Sequence, residues 1–172
     1  MWCDRKSEWV ASAGWGIVAR TCEDEDLWSI AELRGLLRRI EEERVTTLAA
    51  APSMVLDLLE SRKFAETDTS SLFSVGVGGA ATPQRVRSLL QEKMPQNFSG
   101  TGYGMTETNA QGVSLTGRAF HEKPGTAGFP HPICDIRIAD EAGAEIPQGD
   151  TGEIWVRSVT NIREYWNRPD AN

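Results

Sequence analysis

Between residues 29 and 101 the chain alternates amphipathic helical stretches with short β-prone runs. That rhythm restricts it to a parallel sheet with helices packed on it. Ser29 and Glu32 have capping-box spacing, and Ile30, Leu33, Leu36, Leu37 and Ile40 recur at helical intervals, predicting a helix that ends near Arg44. Val45-Thr46-Thr47-Leu48-Ala49 follows as a strand, and Pro52 stands where it opens a second helix with Met54, Val55, Leu58 and Leu59 turned inward. Leu72-Phe73-Ser74-Val75-Gly76-Val77 reads as a buried strand running into glycines. Thr82 and Pro83 are expected as the N-cap and first-turn residues of a third helix, whose apolar face carries Val86, Leu89 and Leu90. Asn97-Phe98-Ser99 is expected as another strand, and Ala13-Gly14-Trp15-Gly16-Ile17-Val18 as a further strand of the same sheet.

From about residue 122 the grammar changes, because Pro124, Gly125, Gly128, Pro130 and Pro132 crowd a stretch in which a helix cannot persist. Beyond it, Cys134-Asp135-Ile136-Arg137-Ile138-Ala139 alternates as a strand does, residues 140–143 read as a turn, and Gly152-Glu153-Ile154-Trp155-Val156-Arg157 reads as the returning strand. The expected fold is therefore α/β: a parallel-sheet subdomain with flanking helices over residues 26–121, then the start of a small antiparallel β-barrel subdomain over 122–172. Residues 1–25 fit neither pattern well.

Composition narrows the partners. With 25 acidic against 18 basic residues in 172, the net charge is −7, and no basic stripe offers a face to phosphate backbones, so nucleic acid is not an expected partner. Cys3, Cys22 and Cys134 are odd in number and widely spaced, which suits reduced thiols and a cytoplasmic location rather than a disulfide framework. His121 and His131 have no ligand spacing with a cysteine and are expected in loops, so zinc is not indicated. The Glu23-Asp24-Glu25-Asp26 cluster reads as a solvated loop. No apolar run approaches 18 residues, so no membrane span is expected.

Chemistry concentrates at Gly102-Tyr103-Gly104-Met105-Thr106-Glu107, which sets a ring, a hydroxyl and a carboxylate within one stretch expected to turn on its glycines with φ > 0. Such a set suits a magnesium nucleotide. The Tyr103 ring can stack on a base, the Thr106 hydroxyl can donate to a phosphate oxygen, and the Glu107 carboxylate is a hard ligand for Mg²⁺. The competing reading is an ordinary turn before a capped helix. A second cluster, Gly76-Val77-Gly78-Gly79-Ala80-Ala81, satisfies the dinucleotide pattern Gly-X-Gly-X-X-Ala by letter. Against that rival, Pro83 removes an amide donor at the helix start, and Ser99-Gly100-Thr101 lacks the acidic residue that would hold a ribose. A glycine-rich strand end packed on a helix is the structural alternative. No Gly-X-Ser-X-Gly elbow and no Walker A loop occurs.

Read in order, Gly78-Gly79-Ala80-Ala81, Tyr103-Gly104-Met105-Thr106-Glu107, Lys123-Pro124-Gly125-Thr126-Ala127-Gly128, Gly152-Glu153-Ile154-Trp155-Val156-Arg157 and Tyr165-Trp166-Asn167-Arg168-Pro169 resemble the middle of an AMP-forming acyl-CoA synthetase. The resemblance runs from about Ile30 to Ala171. It implies a two-step ligase that activates a carboxylic acid, by default a fatty acid and second an aryl acid, with ATP and Mg²⁺ and passes the acyl group to coenzyme A. Carried over by position, Gly79, Ala80 and Ala81 line the adenine and acyl side, Tyr103 stacks on adenine, Thr106 binds the α-phosphate and Glu107 holds Mg²⁺. Thr101, Gly102, Gly104 and Met105 form the floor where nucleotide and acyl chain meet. Ala81, Ser158 and Glu164 depart from the family's usual proline, glycine and glycine. The phosphate loop, the ribose-binding Thr-Gly-Asp and the C-terminal lid have no counterpart, so the chain is expected to be an internal fragment inactive by itself. The alternative is a stand-alone nucleotide-binding or oligomerising module, with a homodimer covering exposed sheet edges.

Overall fold

Eleven helices and strands fill the central part of the chain in a computed structural model that describes residues 30–171. The Ser29 half of the predicted capping box, the strand expected at 13–18 and the acidic cluster at 23–26 lie outside the described residues, as do Cys3 and Cys22. The order is α1 (Ile30–Glu42), β1 (Thr47–Ala50), α2 (Pro52–Glu60), β2 (Ser74–Val77), α3 (Gln84–Lys93), β3 (Gly100–Gly104), β4 (Gly112–Thr116), α4 (Arg118–Glu122), β5 (Phe129–Pro130), β6 (Cys134–Ala139) and β7 (Glu153–Ser158), with 3₁₀ turns at Arg62–Glu66, Thr106–Thr108 and Pro169–Ala171. A five-stranded sheet has the order β1-β2-β3-β4-β5, and β6 and β7 form a separate two-stranded sheet. The fold is thus α/β, with a mostly parallel sheet flanked by helices.

The chain divides into two compact units. The first comprises residues up to 101 and 116–125. In it β1 pairs in parallel with β2, Leu48 opposite Val75, and β2 in parallel with β3, Val77 opposite Thr101. Parallel neighbours need a crossover, which α2 and α3 supply. Pro52 opens α2 because its fixed φ suits the first turn, where its missing N–H would have had no helical partner. That helix buries Val55, Leu58 and Leu59, each contributing roughly 1.5–3 kcal/mol by leaving water. Leu37, Ile40, Leu48, Val75, Val77, Val86, Leu89, Leu90 and Phe120 are buried in the same unit.

Three local expectations are corrected here. The strand foreseen at Asn97-Phe98-Ser99 begins only at Gly100, because the Asn97 side chain instead donates to the Leu72 carbonyl (2.7 Å) and Phe98 N to the Phe73 carbonyl (2.7 Å). Thr82 is not the N-cap of α3; Pro83 holds that position without a side-chain cap, and its carbonyl accepts from Val86 N and Arg87 N. His121 lies in the short helix α4 rather than in a loop. Its ring meets Phe120 edge-on at 5.0 Å, and burial pushes its imidazole below the usual histidine range.

The second unit comprises 102–115 and residues from 126 onward. There β4 pairs antiparallel with the two-residue strand β5, and β6 with β7. The β6–β7 pairing runs in unbroken register from Cys134 opposite Ser158 to Ala139 opposite Glu153. The turn after β6 is built as its residues predict. Asp140 Oδ1 accepts from the amides of Ala142 and Ala144 (2.9 Å each), and Gly143 takes φ = +79°. The Trp155 ring packs over Gly143, where any Cβ would lie 2.7 Å from the indole, and beneath the Arg137 guanidinium at 4.6 Å. Among the described residues no helix is long and apolar enough to cross a membrane.

Candidate functional site

In the first unit the glycine-rich segment leaves the end of β2. Gly76 is an interior strand residue, opposite Ala49 in β1 and Gly100 in β3. A dinucleotide fingerprint needs its first glycine in a tight strand-to-helix turn, so this geometry removes the Gly-X-Gly-X-X-Ala reading. Gly78 N still donates to the Ala50 carbonyl (3.2 Å), and Gly79 then takes φ = +79° with open space where a Cβ would project. Ala80 and Ala81 follow, exposed. Thr82, released from capping, meets Thr101 through a hydroxyl–hydroxyl hydrogen bond of 2.9 Å. That contact ties the loop holding Gly79, Ala80 and Ala81 to the strand that carries Thr101.

The stretch expected to be a turn is a strand over its first half. Thr101, Gly102, Tyr103 and Gly104 belong to β3, and neither Gly102 nor Gly104 has positive φ. Their lack of a side chain serves close packing instead. A Cβ on Gly102 would lie 2.7 Å from the Val113 carbonyl oxygen, and one on Gly104 would lie 2.5 Å from that of Ala110. Gly112 is the reciprocal case, 2.2 Å from the Tyr103 oxygen. Positive φ is found instead at Asn109 (+55°) and Ala110 (+59°). Two consecutive left-handed residues without glycine cost roughly 1–2 kcal/mol each, and such strain gathers at functional sites.

The chain bends at the 3₁₀ turn Thr106–Thr108. Thr108 sets this bend although no motif reading singled it out. Its hydroxyl is buried, accepts from Met105 N (3.1 Å) and donates toward the Gln111 carbonyl (2.5 Å). A hydroxyl three residues after the N-cap position is the local signal that marks such a self-capped turn. Thr108→Val keeps the shape and removes every one of these bonds, leaving the half-buried Met105 amide unmet. The expected loss is about 1–3 kcal/mol, read as a lower urea midpoint at unchanged slope.

Two side chains emerge from this turn. Thr106 is exposed, and its hydroxyl has no protein partner among the described residues. Glu107 is half-buried and accepts, through Oε1, a short hydrogen bond from the Tyr165 hydroxyl, 58 positions away in sequence. That bond holds the Glu107 carboxyl below the usual carboxylate range and pushes the Tyr165 phenol up. Around neutral pH the pair is therefore an ionised carboxylate and a neutral donor. The segment carrying Tyr165 is fastened separately, since Ile162 N donates to the Glu107 carbonyl (2.8 Å) and the Thr160 hydroxyl to the Thr108 carbonyl (2.9 Å). On the other side of the turn, His131 Nδ1 lies 2.7 Å from Gln111 Oε1.

This donor set fits a divalent cation and a phosphate. Glu107 is charged, and Oε2 retains lone pairs for a hard ion while Oε1 is occupied; Thr106 adds a free hydroxyl donor one residue away. Tyr103 is half-buried in β3. Thus Gly79, Ala80, Ala81 and Thr101 are grouped in the first unit, and Gly102, Tyr103, Gly104, Met105, Thr106 and Glu107 in the second. The sequence named Glu107 and Tyr165 in separate blocks; their hydrogen bond is a tertiary fact.

Residues 19–166 match the AMP-binding enzyme family. A feruloyl-CoA synthase from an Amycolatopsis species is 36% identical over 137 residues, covering 79% of this chain and 27% of that protein. A long-chain-fatty-acid–CoA ligase from Haemophilus influenzae is 32% identical over 141 residues, covering 81% of this chain and 25% of its own length. Among solved structures, the O-succinylbenzoate coenzyme A synthetase of Bacillus subtilis, in complex with ATP and magnesium, superposes with a TM-score of 0.70 at 31% identity, covering 81% of this chain and 28% of that one. The chain spans about a quarter of the length of the curated relatives it matches. With a family match that covers most of its residues, the chain belongs to the AMP-binding enzyme family.

Proposed function

We propose that this chain carries part of the active site of an AMP-forming acid–CoA ligase, and that it needs the rest of such a protein to turn over. The observation that supports this most is the ionised Glu107 carboxylate beside the free Thr106 hydroxyl, at the end of a strand whose glycines leave no side chains there. In the reaction, a carboxylate oxygen of the acid attacks the α-phosphorus of ATP while the bond to pyrophosphate breaks, giving an acyl-adenylate. The sulfur of coenzyme A, losing its proton, then takes the acyl carbon and releases AMP. Tyr103 stacks on the adenine, with Gly79, Ala80 and Ala81 lining the base and acyl side. Thr106 donates to an α-phosphate oxygen, and Glu107 is the Mg²⁺ ligand. Thr101, Gly102, Gly104 and Met105 form the floor between nucleotide and acyl chain. When bound, Mg²⁺ supplies neutralisation of charge on the pyrophosphate leaving group.

The acid is proposed to be a fatty acid. The 36% identity to a feruloyl-CoA synthase favours an aryl acid as the second reading. A lone chain without a phosphate loop lacks positioning and charge stabilisation that are worth orders of magnitude in rate. It is therefore expected to show no acid-dependent ATP–pyrophosphate exchange, and clear exchange would refute the inactive-alone part of the reading. Binding is the direct test. Tryptophan fluorescence of the chain should respond to ATP with Mg²⁺ and to AMP, but not to NAD. A response to NAD alone, or to no nucleotide, rejects the adenylate site in this chain.

A further inference from the structure

We propose that Tyr165 is a positioning residue of this site: by donating to Oε1 of Glu107, its hydroxyl holds the carboxylate in one orientation and leaves Oε2 as the oxygen offered to a divalent cation. The inference rests on the reading of Glu107 as a metal ligand and adds a residue to it. Glutamate has three rotatable side-chain bonds, and on this 3₁₀ turn at the surface the Tyr165 hydroxyl is the largest hydrogen-bonding influence on the Glu107 carboxylate, ahead of Glu107's own backbone amide. A ligand that must be found among several rotamers costs entropy at the moment of binding, and a fixed one does not.

The contact is not needed to fasten the segment. Ile162 N to the Glu107 carbonyl (2.8 Å) and the Thr160 hydroxyl to the Thr108 carbonyl (2.9 Å) already do so from the two residues nearest the turn. What the phenol hydroxyl adds is a hydrogen bond to the carboxylate itself rather than to the backbone of the turn. Its chemistry also suits the task. A lysine or arginine at this position would fix Glu107 equally well but would cancel the charge that a cation needs and compete with that cation for it. A neutral hydroxyl donor orients the carboxylate and leaves its full charge in place.

The test uses the 172-residue chain with Tyr165→Phe and Glu107→Gln beside the parent sequence. Three-bond couplings of the Glu107 side chain, measured by NMR without ligand, should report one dominant rotamer in the parent and averaging in Tyr165→Phe. The Ile162 amide shift should stay put, showing the segment still docked. Titration with Mn²⁺ and ATP, followed by loss of the free Mn²⁺ electron-resonance signal, should show binding weakened about tenfold or more in Tyr165→Phe, the range typical of outer-shell partners. ATP affinity in EDTA should be unchanged by that variant. Unchanged Glu107 couplings, or equal Mn²⁺ affinity in Tyr165→Phe and parent, overturns the positioning role while leaving Glu107 as ligand. Mn²⁺ affinity unmoved by Glu107→Gln overturns the ligand reading itself, whatever the couplings report.

Discussion

Phe120→Ala should lower stability by about 3–5 kcal/mol, the range for deleting a fully buried aromatic side chain. That is a large part of the 5–15 kcal/mol that ordinary domains possess. Phe120 is 0% exposed, although it sits in a five-residue helix that propensity alone would not sustain. Its ring lies beneath the Arg87 guanidinium, 4.2 Å from its carbon, and its carbonyl accepts a short hydrogen bond from Arg87 Nη1. Arg87 is itself 4% exposed, no carboxylate among the described residues is bonded to it, and burial pushes its pKa down. Removing the ring therefore opens a cavity and also strips a buried cation of the π face that partly replaces water. Urea denaturation is the measurement. A loss below about 1.5 kcal/mol would mean that the site collapses around the smaller side chain. A double-mutant cycle with Arg87→Met should return a coupling energy well above zero, since the two groups touch.

Gly128→Ala should cost about 2–6 kcal/mol, by two mechanisms acting at one atom. Gly128 has φ = +124°, a region that only glycine enters freely, and holding alanine there costs about 1–3 kcal/mol. Its added Cβ would also sit 2.1 Å from the Ser114 carbonyl carbon and oxygen and 2.6 Å from Leu115 N, all backbone atoms of β4 that no rotamer change can move aside. Overpacking of that kind adds about 1–3 kcal/mol. Gly125→Ala separates the two contributions. It has φ = +87° but nothing within 4 Å of the new Cβ, so it should lose only about 1–2 kcal/mol. Equal melting temperatures for the two variants would show that β4 yields and that backbone strain is the whole effect. Because Phe129 pairs with Ser114 immediately beyond Gly128, the larger loss should also unpair β5 and raise amide exchange there.

Much of the architecture is written in short-range patterns. The Pro52 start, the inward face of Val55, Leu58 and Leu59, the β6 alternation and the Asp140–Gly143 turn each depend on spacing within a few residues, which is what 3.6-fold and two-fold periodicities encode. Even the errors at Thr82 and Asn97 are local. Thr82, expected to cap its own helix, was taken by Thr101, and Asn97, expected in a strand, has its side chain on the Leu72 carbonyl. Arg87 escaped notice because a lone arginine on a helix normally faces water. Only the ring and carbonyl of Phe120, 33 positions on, make its burial tolerable.

By itself, then, the sequence determined the alternating α/β order, the later β hairpin and the identity of the chemical groups at residues 101–107, because these depend on near neighbours and on residue type. The reason for the glycines was decided only in three dimensions. Gly102 and Gly104 are required by the backbones of Val113 and Ala110 pressing on β3, not by a left-handed turn. So was the state of the carboxylate. Glu107 is held, and its carboxyl kept below the usual range, because the chain returns after β7 to set the Tyr165 hydroxyl on it, and a contact across 58 residues has no periodicity to announce it.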